Sequence, residues 1–314
     1  MKKVLLTGSN GFIGRAFQEA WKGPLVCVSR QAKEHLSTSQ SSFLIQNLDK
    51  FTCWEGAFKD VDCVVHLASL AHKKQFKKDE LDSVNIQGTL RLAQQAANSG
   101  VARFIYISTI GVLGSRTMNE PFNEHTEPAP HNLYAKSKHI AEEKLKELCK
   151  TTKMELVIIR PPLVYGRNAP GNFSLLISAV KMLPVLPFGL TNNRRSFISV
   201  GNLVDLIVTC IKCKNAANKT FNATESLPMS TKQLTNSIAS ALGKRCLQFP
   251  FPIIAIKSIA KLVGKGKMYE QLFESLEIDP SYLLQELKWT PPQSTESEIR
   301  AIFSRDQNNS HFID

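Results

Sequence analysis

The chain has 314 residues, of which 43% are apolar and 21% charged, a composition typical of folded proteins with one large or two ordinary domains. This composition excludes disordered, collagen-like and disulfide-stapled proteins. Lysine and arginine number 39 against 27 aspartate and glutamate residues, and the net charge of +12 favours anionic partners such as phosphorylated metabolites.

Hydrophobic runs are short throughout the chain. The longest unbroken run of apolar or proline residues spans Phe249–Ile256, well below the ~18 residues of a membrane span. The cysteines follow no regular spacing, and we interpret the CxxC pair Cys210 and Cys213 as core packing rather than a metal or redox site. We therefore predict a cytoplasmic protein with no integral membrane segment and no bound metal.

Short β-branched runs alternate with longer amphipathic stretches in the first half of the chain, the pattern of βαβ units on a parallel sheet. The predicted strands are Lys3–Leu6, Leu25–Val28, Phe43–Ile45, Cys63–Leu67, Arg103–Ile107 and Leu156–Ile159. The predicted helices are Gly11–Trp21, Asp82–Ser99 and Asn132–Lys150. The pattern indicates an α/β fold built on a Rossmann-type, doubly wound parallel sheet.

After Gly166 the pattern changes to short strands, helices and loops rich in glycine, proline and asparagine. We predict a dinucleotide-binding Rossmann domain of residues 1–166 with about 196–224, and a smaller, mainly helical substrate domain of 167–195 and 225–314. The smaller domain is expected to close over the carboxyl edge of the sheet, where open α/β sheets bind their ligands.

The clearest motif lies between the first predicted strand and the first helix and reads Thr7-Gly8-Ser9-Asn10-Gly11-Phe12-Ile13-Gly14. Gly8 allows a tight turn, Gly11 lets a pyrophosphate approach the backbone, and Gly14 lets the helix pack closely on the sheet. The N-terminus of the helix supplies N–H groups and a partial positive charge for phosphates. The loop therefore predicts a dinucleotide site.

The residue after the second strand bears on which dinucleotide binds. NAD sites usually carry Asp or Glu there, whereas an arginine accommodates the 2′-phosphate of NADP. Arg30 therefore favours NADP(H), with NAD(H) still possible if Arg30 is a solvated surface residue; Lys33 or Arg15 would share the phosphate. Asn47 and Leu48 follow the third strand and are predicted beside the adenine.

A tyrosine and a lysine occur four residues apart in the stretch Tyr134-Ala-Lys-Ser-Lys138, on one face of a predicted helix. A phenol is a poor acid–base catalyst at neutral pH, and a neighbouring ammonium is expected to lower its pKa. Thr109 ends the preceding strand and offers a hydroxyl that completes a proton-transfer site.

These motifs, in this order, resemble those of the extended short-chain dehydrogenase/reductase family, in its nucleotide-sugar epimerase/dehydratase branch. Further matching segments are His66-Leu67-Ala68, Asn85 with Gly88-Thr89, Ser108-Thr109, and Arg160-Pro161 to Tyr165-Gly166. Departures from the family pattern are Asn47 and Asn202, where Asp is common, and Leu113, where many 4-epimerases have Tyr.

The resemblance implies that Tyr134 is the acid/base, that Lys138 binds the nicotinamide ribose, and that Thr109 with Ser108 binds the reacting sugar. It also implies that Asn172 and Arg195 hold the pyrophosphate of a UDP-sugar, and that two copies pair through the helices at 82–99 and 134–150 as a homodimer. The cofactor contacts it implies are Gly8, Asn10, Gly11, Phe12, Ile13, Gly14, Leu67, Ala68, Tyr134, Lys138 and Pro161.

Two reactions stay open within this branch. Thr109 is followed by Ile110-Gly111-Val112 and not by the Asp-Glu pair of the 4,6-dehydratases, and no cysteine accompanies the catalytic position as in the 3,5-epimerase/reductases. The remaining candidates are a 4-ketoreductase that forms UDP-N-acetylquinovosamine for surface polysaccharides and a UDP-hexose 4-epimerase. Arg30 and Leu113 favour the reductase.

Other classes of function fit the sequence less well. A non-catalytic NADP sensor has no need of Tyr134, Lys138 and Thr109 together, and no compact basic–aromatic motif indicates nucleic-acid binding. The stretch Pro252 to Lys267 combines apolar residues with four lysines. We predict that it packs within the substrate domain, with contact to a membrane surface as the alternative.

Overall fold

The structure is a computed structural model that describes residues 1–31, 38–71, 77–225 and 227–308. Its strands, in chain order, are β1 (Val4–Thr7), β2 (Leu25–Ser29), β3 (Gln40–Leu44), β4 (Cys63–His66), β5 (Arg103–Ile107), β6 (Glu155–Arg160), β7 (Leu163–Tyr165), β8 (Val185–Leu186), β9 (Phe197–Ser199), β10 (Lys219–Asn222) and β11 (Leu247–Gln248).

Within these residues, seven strands form one parallel sheet in the order β10-β6-β5-β4-β1-β2-β3. The chain builds outward from β1 to β3 and then returns to place β4 on the other side of β1. The strand order therefore reverses between β1 and β4, which opens a crevice at their carboxyl ends. The predicted doubly wound Rossmann-type sheet is confirmed.

The helices, in chain order, are α1 (Phe12–Ala20), α2 (Lys78–Leu81), α3 (Thr89–Asn98), α4 (Leu133–Lys150), α5 (Asn172–Met182), α6 (Val200–Lys212), α7 (Thr231–Ala241), α8 (Ile253–Leu262), α9 (Gly266–Phe273), α10 (Ser281–Leu287) and α11 (Thr295–Asn308). A π-helical segment, Asp82–Gly88, joins α2 to α3. In the part of the chain that the structure describes, no helix has the length and apolar character needed to cross a membrane.

The predicted elements match the structure closely, with two differences. β3 begins at Gln40 and not at Phe43, because an edge strand pairs on one side only and keeps exposed serines at 41 and 42 that carry no hydrophobic pattern. The predicted helix at 82–99 begins as the π-helical segment Asp82–Gly88, a distinction that hydrophobic spacing does not make.

The sheet is covered on both faces. Along β1, Val4 and Leu6 pack into one core while Leu5 packs into the other, as the two-residue period of a strand requires. The first core contains α6 residues including Cys210, which is fully buried, so the packing role predicted for this cysteine is confirmed. Trp54 belongs to the second core.

A third core lies in the part of the chain that follows the sixth strand. It brings together Tyr165, Phe173, Ile238 and Ile299, among others. These positions fall in or beside the two segments assigned to the substrate domain, although Leu283 packs into the first core. The exact domain boundaries stay a prediction.

Candidate active site

The loop between β1 and α1 is held against the loop after β4. Gly8 has a φ of +70°, and a Cβ there would lie 2.8 Å from the backbone nitrogen of Ala68. A Cβ on Gly14 would lie 2.2 Å from the carbonyl oxygen of Gly8. Both glycines are therefore required by close backbone approach at the crevice where the strand order reverses.

The N-terminus of α1 is suited to bind phosphate. Gly11 caps the helix without a side-chain hydrogen bond, and the first turn carries no acidic residue, so its N–H groups point toward the crevice unopposed. Ser9 fixes the loop by donating a hydrogen bond to the carbonyl of Val28 at 2.9 Å. The geometry fits the pyrophosphate of a dinucleotide.

The ends of β2 and β3 place the other predicted cofactor residues. Arg30 is exposed directly after β2, Asn47 is exposed after β3, and Leu48 is half-buried. Leu48 packs against Gly88, where a Cβ would lie 2.8 Å from the Leu48 carbonyl. Lys33 lies outside the described residues.

The strand end after β5 carries two hydroxyl side chains. Ser108 donates its backbone N–H to the carbonyl of Ile159, and Ile110 donates to that of Pro161, so Pro161 lies beside this strand end. Thr109 accepts a hydrogen bond from the backbone of Gly111 at 3.2 Å. The Ser108 hydroxyl is buried and has no hydrogen-bond partner within the described residues, which makes it available to a ligand.

Helix α4 presents the tyrosine and the lysine together. Asn132 caps this helix through its side chain, which accepts a hydrogen bond from the backbone of Ala135. Burial raises the pKa of Tyr134 to about 12, although a hydrogen bond with Ser69 opposes the shift. The pKa of this phenol is thus raised and not lowered in the structure, because burial is the largest effect on it. The effect of Lys138 on the phenol stays a prediction.

Lys138 is buried, with its Nζ 4.1 Å from the centre of the Tyr106 ring. Burial lowers the pKa of Lys138 to about 7, and the carboxylate of Glu142 raises it in part. Glu142 is fully buried and forms an ion pair with Arg160 at 2.6 Å. Sequence reasoning missed Glu142, whose position one helical turn beyond Lys138 was the available signal.

The loop after β4 is tied down by buried polar side chains. His66 contacts the hydroxyl of Thr7 at 2.7 Å and that of Thr89 at 2.9 Å, and burial lowers its pKa to about 3. His66 is thus a neutral structural residue. Asn85 accepts a hydrogen bond from the backbone of Leu70 and donates one to Ser137 on α4. The hydrogen bond to Leu70 fixes the loop beside Ser69, a residue that sequence reasoning also missed.

Asn172 and Arg195 both bond to α9 or to its C-cap residue Glu274. Asn172, the first residue of α5, donates a hydrogen bond to the side chain of Gln271, and Arg195 donates one to the carbonyl of Glu274 at 2.7 Å. Burial lowers the pKa of Arg195 to about 10, so the guanidinium remains charged at neutral pH. Both predicted phosphate ligands therefore bond to the same short segment, residues 270–274.

Comparison with protein families agrees with this geometry. Residues 4–223 match the model of the NAD dependent epimerase/dehydratase family, a range that contains the glycine loop, Tyr134 and Lys138. The chain belongs to this family. The chain is thus an epimerase/dehydratase-type enzyme of the extended short-chain dehydrogenase/reductase fold.

Among curated family members, a UDP-glucose 4-epimerase of Vibrio cholerae is 38% identical over 307 residues, which cover 95% of this chain and 94% of the relative. An N-acetyl-alpha-D-glucosaminyl-diphospho-ditrans,octacis-undecaprenol 4-epimerase of Escherichia coli O157:H7 is 27% identical over 83% of this chain and 81% of its own.

Solved structures share the fold of this family member. A UDP-glucose 4-epimerase of Thermotoga maritima, crystallised with UDP-glucose, gives a TM-score of 0.78 at 20% identity and covers 98% of this chain and 99% of its own. A UDP-N-acetylglucosamine 4-epimerase of Bacillus cereus gives 0.79 at 18% identity and covers 98% and 100%.

Proposed function

We propose that this enzyme reduces the C4 ketone of a UDP-4-keto-6-deoxy-N-acetylhexosamine with NADPH, forming UDP-N-acetylquinovosamine or its C4 epimer for surface-polysaccharide synthesis. The observation that carries this proposal is exposed Arg30 directly after β2, where a guanidinium suits the 2′-phosphate of NADPH. Tyr134 on α4 is the proton donor, and its phenol is protonated at neutral pH. A protonated phenol is the form needed to give a proton to an alkoxide as a ketone is reduced.

The chemistry that a bound nicotinamide supplies is hydride transfer. Residues of the chain donate the proton, orient the sugar and bind the cofactor. Tyr134 holds the proton for the oxygen at C4, Thr109 orients that oxygen, and the unpartnered hydroxyl of Ser108 donates a hydrogen bond to the sugar. Lys138 lies one turn from Tyr134 and positions the ribose of the cofactor.

The residues around Thr109 argue against dehydration. The three positions that follow it, Ile110 to Val112, are buried and carry no ionisable side chain. Removal of water from a sugar requires an acid and a base beside the reacting carbons. Reduction of a ketone needs one proton donor, the role assigned to Tyr134, and no second acid–base pair after Thr109.

Exposed Arg30 supports NADPH as the reductant. It follows β2 at the position where an acidic side chain would accept a hydrogen bond from the ribose 2′-hydroxyl. A guanidinium there makes paired hydrogen bonds to a 2′-phosphate instead. A reductase consumes its reductant and needs an exchangeable cofactor, whereas an epimerase returns the hydride it removes.

The UDP part of the substrate is assigned to the end of the molecule near α9. Asn172 and Arg195 each bond to a residue of the segment 270–274 there, and the charged guanidinium offers N–H groups to a pyrophosphate. The solved UDP-glucose complex of a structural relative supports a nucleotide sugar in this fold.

The second candidate is a UDP-hexose 4-epimerase, such as one that interconverts UDP-glucose or UDP-N-acetylglucosamine with its C4 epimer. The specific observation in its favour is the 38% identical Vibrio cholerae relative. The same residues serve this reaction, with Tyr134 taking the proton before it returns it. This role requires Tyr134 to accept a proton as well as to donate one, whereas reduction requires donation alone.

The two candidates differ in net consumption of reductant. We expect purified enzyme to lower the absorbance at 340 nm when NADPH and UDP-4-keto-6-deoxy-N-acetylglucosamine are present, one NADPH for each sugar reduced. Conversion of UDP-N-acetylglucosamine to UDP-N-acetylgalactosamine without net change at 340 nm would assign the epimerase. Absence of both reactions would reject both candidates.

We also propose a homodimer that pairs through the 82–99 and 134–150 helices. A surface groove runs between these helices and holds half-buried apolar side chains from both, among them Leu90 and Ile140. Apolar side chains on adjacent helices are suited to a four-helix interface with a second copy.

A further inference from the structure

Helix α8 exposes three large apolar side chains. Of its ten residues only Ala260 is buried, whereas Ile254 is 81%, Ile259 52% and Leu262 86% exposed. Single exposed leucines are ordinary, but several on one helix that the described residues leave uncovered mark a docking surface. Packing within the substrate domain, the prediction from sequence, accounts for the side of the helix that contacts α9 but not for these three side chains.

The exposed residues of α8 are arranged in two adjoining faces. At 100° per residue, Ile254, Leu262 and Ile259 occupy one apolar sector, and exposed Lys257 and Lys261 lie along its flank. An apolar face beside a lysine face is typical of helices that lie in the plane of a membrane surface. The lysine stems cover apolar surface while their ammonium groups reach the headgroups.

Charge is one-sided along the stretch of sequence that contains this helix. Residues 226–269 contain seven lysine or arginine residues and no aspartate or glutamate. Lys257 also stacks over the ring of Tyr269 on the neighbouring helix α9, 5.7 Å from its centre, which fixes it beside the apolar face. The complement of this surface is therefore both apolar and anionic.

We propose that α8 docks onto an anionic phospholipid bilayer, with Ile254, Ile259 and Leu262 at the boundary of the acyl chains and Lys257 and Lys261 against lipid phosphates. A second copy of the chain fits less well, because it would bring two lysine-rich faces together without carboxylates to pair them. Nucleic acid fits less well because aliphatic side chains neither stack on bases nor bind phosphate.

Docking would also orient the site. Helix α8 packs on α9, and α9 contacts Asn172 through Gln271 and Arg195 through the carbonyl of Glu274. A membrane-bound α8 therefore holds the nucleotide end of the site close to the bilayer. This orientation rests on the proposed function, whereas the docking itself does not.

The test is flotation of the full chain with vesicles of phosphatidylcholine containing about one quarter phosphatidylglycerol, against vesicles of phosphatidylcholine alone. We expect binding to the anionic vesicles that weakens as salt is added. Ile254→Ser/Leu262→Ser is expected to reduce this binding at least about tenfold, and Lys257→Gln/Lys261→Gln about tenfold at low salt. The matched control, Met118→Ser/Leu284→Ser, removes two exposed apolar residues elsewhere and is expected to bind as the unaltered chain does.

Thermal melts show whether each double variant is folded. If Ile254→Ser/Leu262→Ser does not fold, Lys257→Gln/Lys261→Gln tests the proposal. Absence of binding to anionic vesicles, or equal binding to both vesicle types, would overturn the proposal. So would a loss that the control variant shares. If light scattering without vesicles shows a mass that only Ile254→Ser/Leu262→Ser lowers, a second copy occupies this face and bilayer docking is wrong. None of these measurements depends on activity, so a failed reductase assay leaves their outcome intact.

Discussion

At the scale of single residues, burial sets the chemistry of the site more strongly than pairing does. The pKa of Tyr134 is raised to about 12 and that of Lys138 is lowered to about 7, so both shifts favour the neutral form. A phenolate–ammonium pair would shift both values the other way. The proton is therefore held on the Tyr134 oxygen, and the ammonium of Lys138 is destabilised.

Replacement of Tyr134 by phenylalanine removes that proton and leaves the ring. We expect Tyr134→Phe to lower kcat by about a hundredfold or more, the usual contribution of a general acid. NADPH affinity, measured by fluorescence titration, is expected to stay nearly unchanged. Tyr282→Phe on α10 removes the same oxygen away from the site and should retain full turnover; equal activity of the two variants would contradict the assignment.

Lys138 makes stability depend on pH. Its pKa is about 7 in the folded chain and 10.5 as a free side chain, so between these values the unfolded chain binds the extra proton. The contribution of Lys138 to the free energy of unfolding therefore rises with pH across this window, and its penalty is largest below about pH 7. We expect Lys138→Met to raise the Tm most at about pH 6 and progressively less toward pH 10. A Tm difference that is constant with pH would show that Lys138 does not titrate in this way.

Arg30 provides a test of cofactor choice. We expect Arg30→Asp to raise the KM for NADPH about tenfold or more, because a carboxylate repels the 2′-phosphate, and to lower the KM for NADH. Lys22→Asp makes the same change of charge at another exposed position and should leave the ratio of the two KM values unchanged. An unchanged ratio in Arg30→Asp would make Arg30 a surface residue.

At the scale of elements, helix α4 carries a column of functional groups at successive turns, Tyr134, Lys138 and Glu142. Glu142, the last of the three, forms an ion pair with Arg160 on β6 and so ties the helix to the sheet. Both side chains of this pair are almost fully buried. A buried pair of this kind is costly to break, because the remaining partner stays charged without compensation.

Breaking this pair is expected to destabilise the fold. We expect Arg160→Met to lower the free energy of unfolding by about 3–5 kcal/mol in urea titrations. The double variant Glu142→Leu/Arg160→Met should recover much of that loss, since no unpaired charge is then left. Lys146→Met breaks the exposed pair with Glu143 on the same helix and is expected to cost less than about 1 kcal/mol. A comparable loss in both single variants would contradict a special role for burial.

At the scale of the whole molecule, the reversal of strand order brings the loops after β1 and β4 into contact and sets the cofactor crevice between them. Two further surfaces lie outside this crevice. The helices at 82–99 and 134–150 carry the groove assigned to the dimer, and α8 carries the lysine-flanked apolar face.

The dimer is tested by mass in solution. The chain has a mass of 35.0 kDa, and we expect light scattering after gel filtration to give twice that value. Leu90→Glu/Ile140→Glu places carboxylates in the groove and should yield the monomer, because burying unpaired charge is unfavourable. Leu284→Glu adds a carboxylate to exposed α10 and should remain dimeric; a monomeric unaltered chain would reject the proposed interface.

Sequence patterns that span a few residues were enough to predict most strands, the glycine loop and one helix face of this protein. Alternating apolar runs predict the strands to within three residues, and the order of glycines at 8, 11 and 14 predicts the tight loop that the structure shows. The four-residue spacing of Tyr134 and Lys138 predicts one helix face. These features depend on backbone geometry and helical period, which local sequence specifies.

Contacts between distant segments decided the partners and the pKa values of the site residues and the exposure of α8. Ser69 reaches Tyr134 from another loop, Arg160 meets Glu142 from β6, and the pKa of Tyr134 rises because the folded chain removes water from around it. The exposure of α8 likewise depends on which elements fail to cover it. Sequence alone thus determined the fold class and the residue types at the site, whereas the tertiary structure decided their protonation and their surroundings, because burial and long-range pairing exist only once the chain has folded.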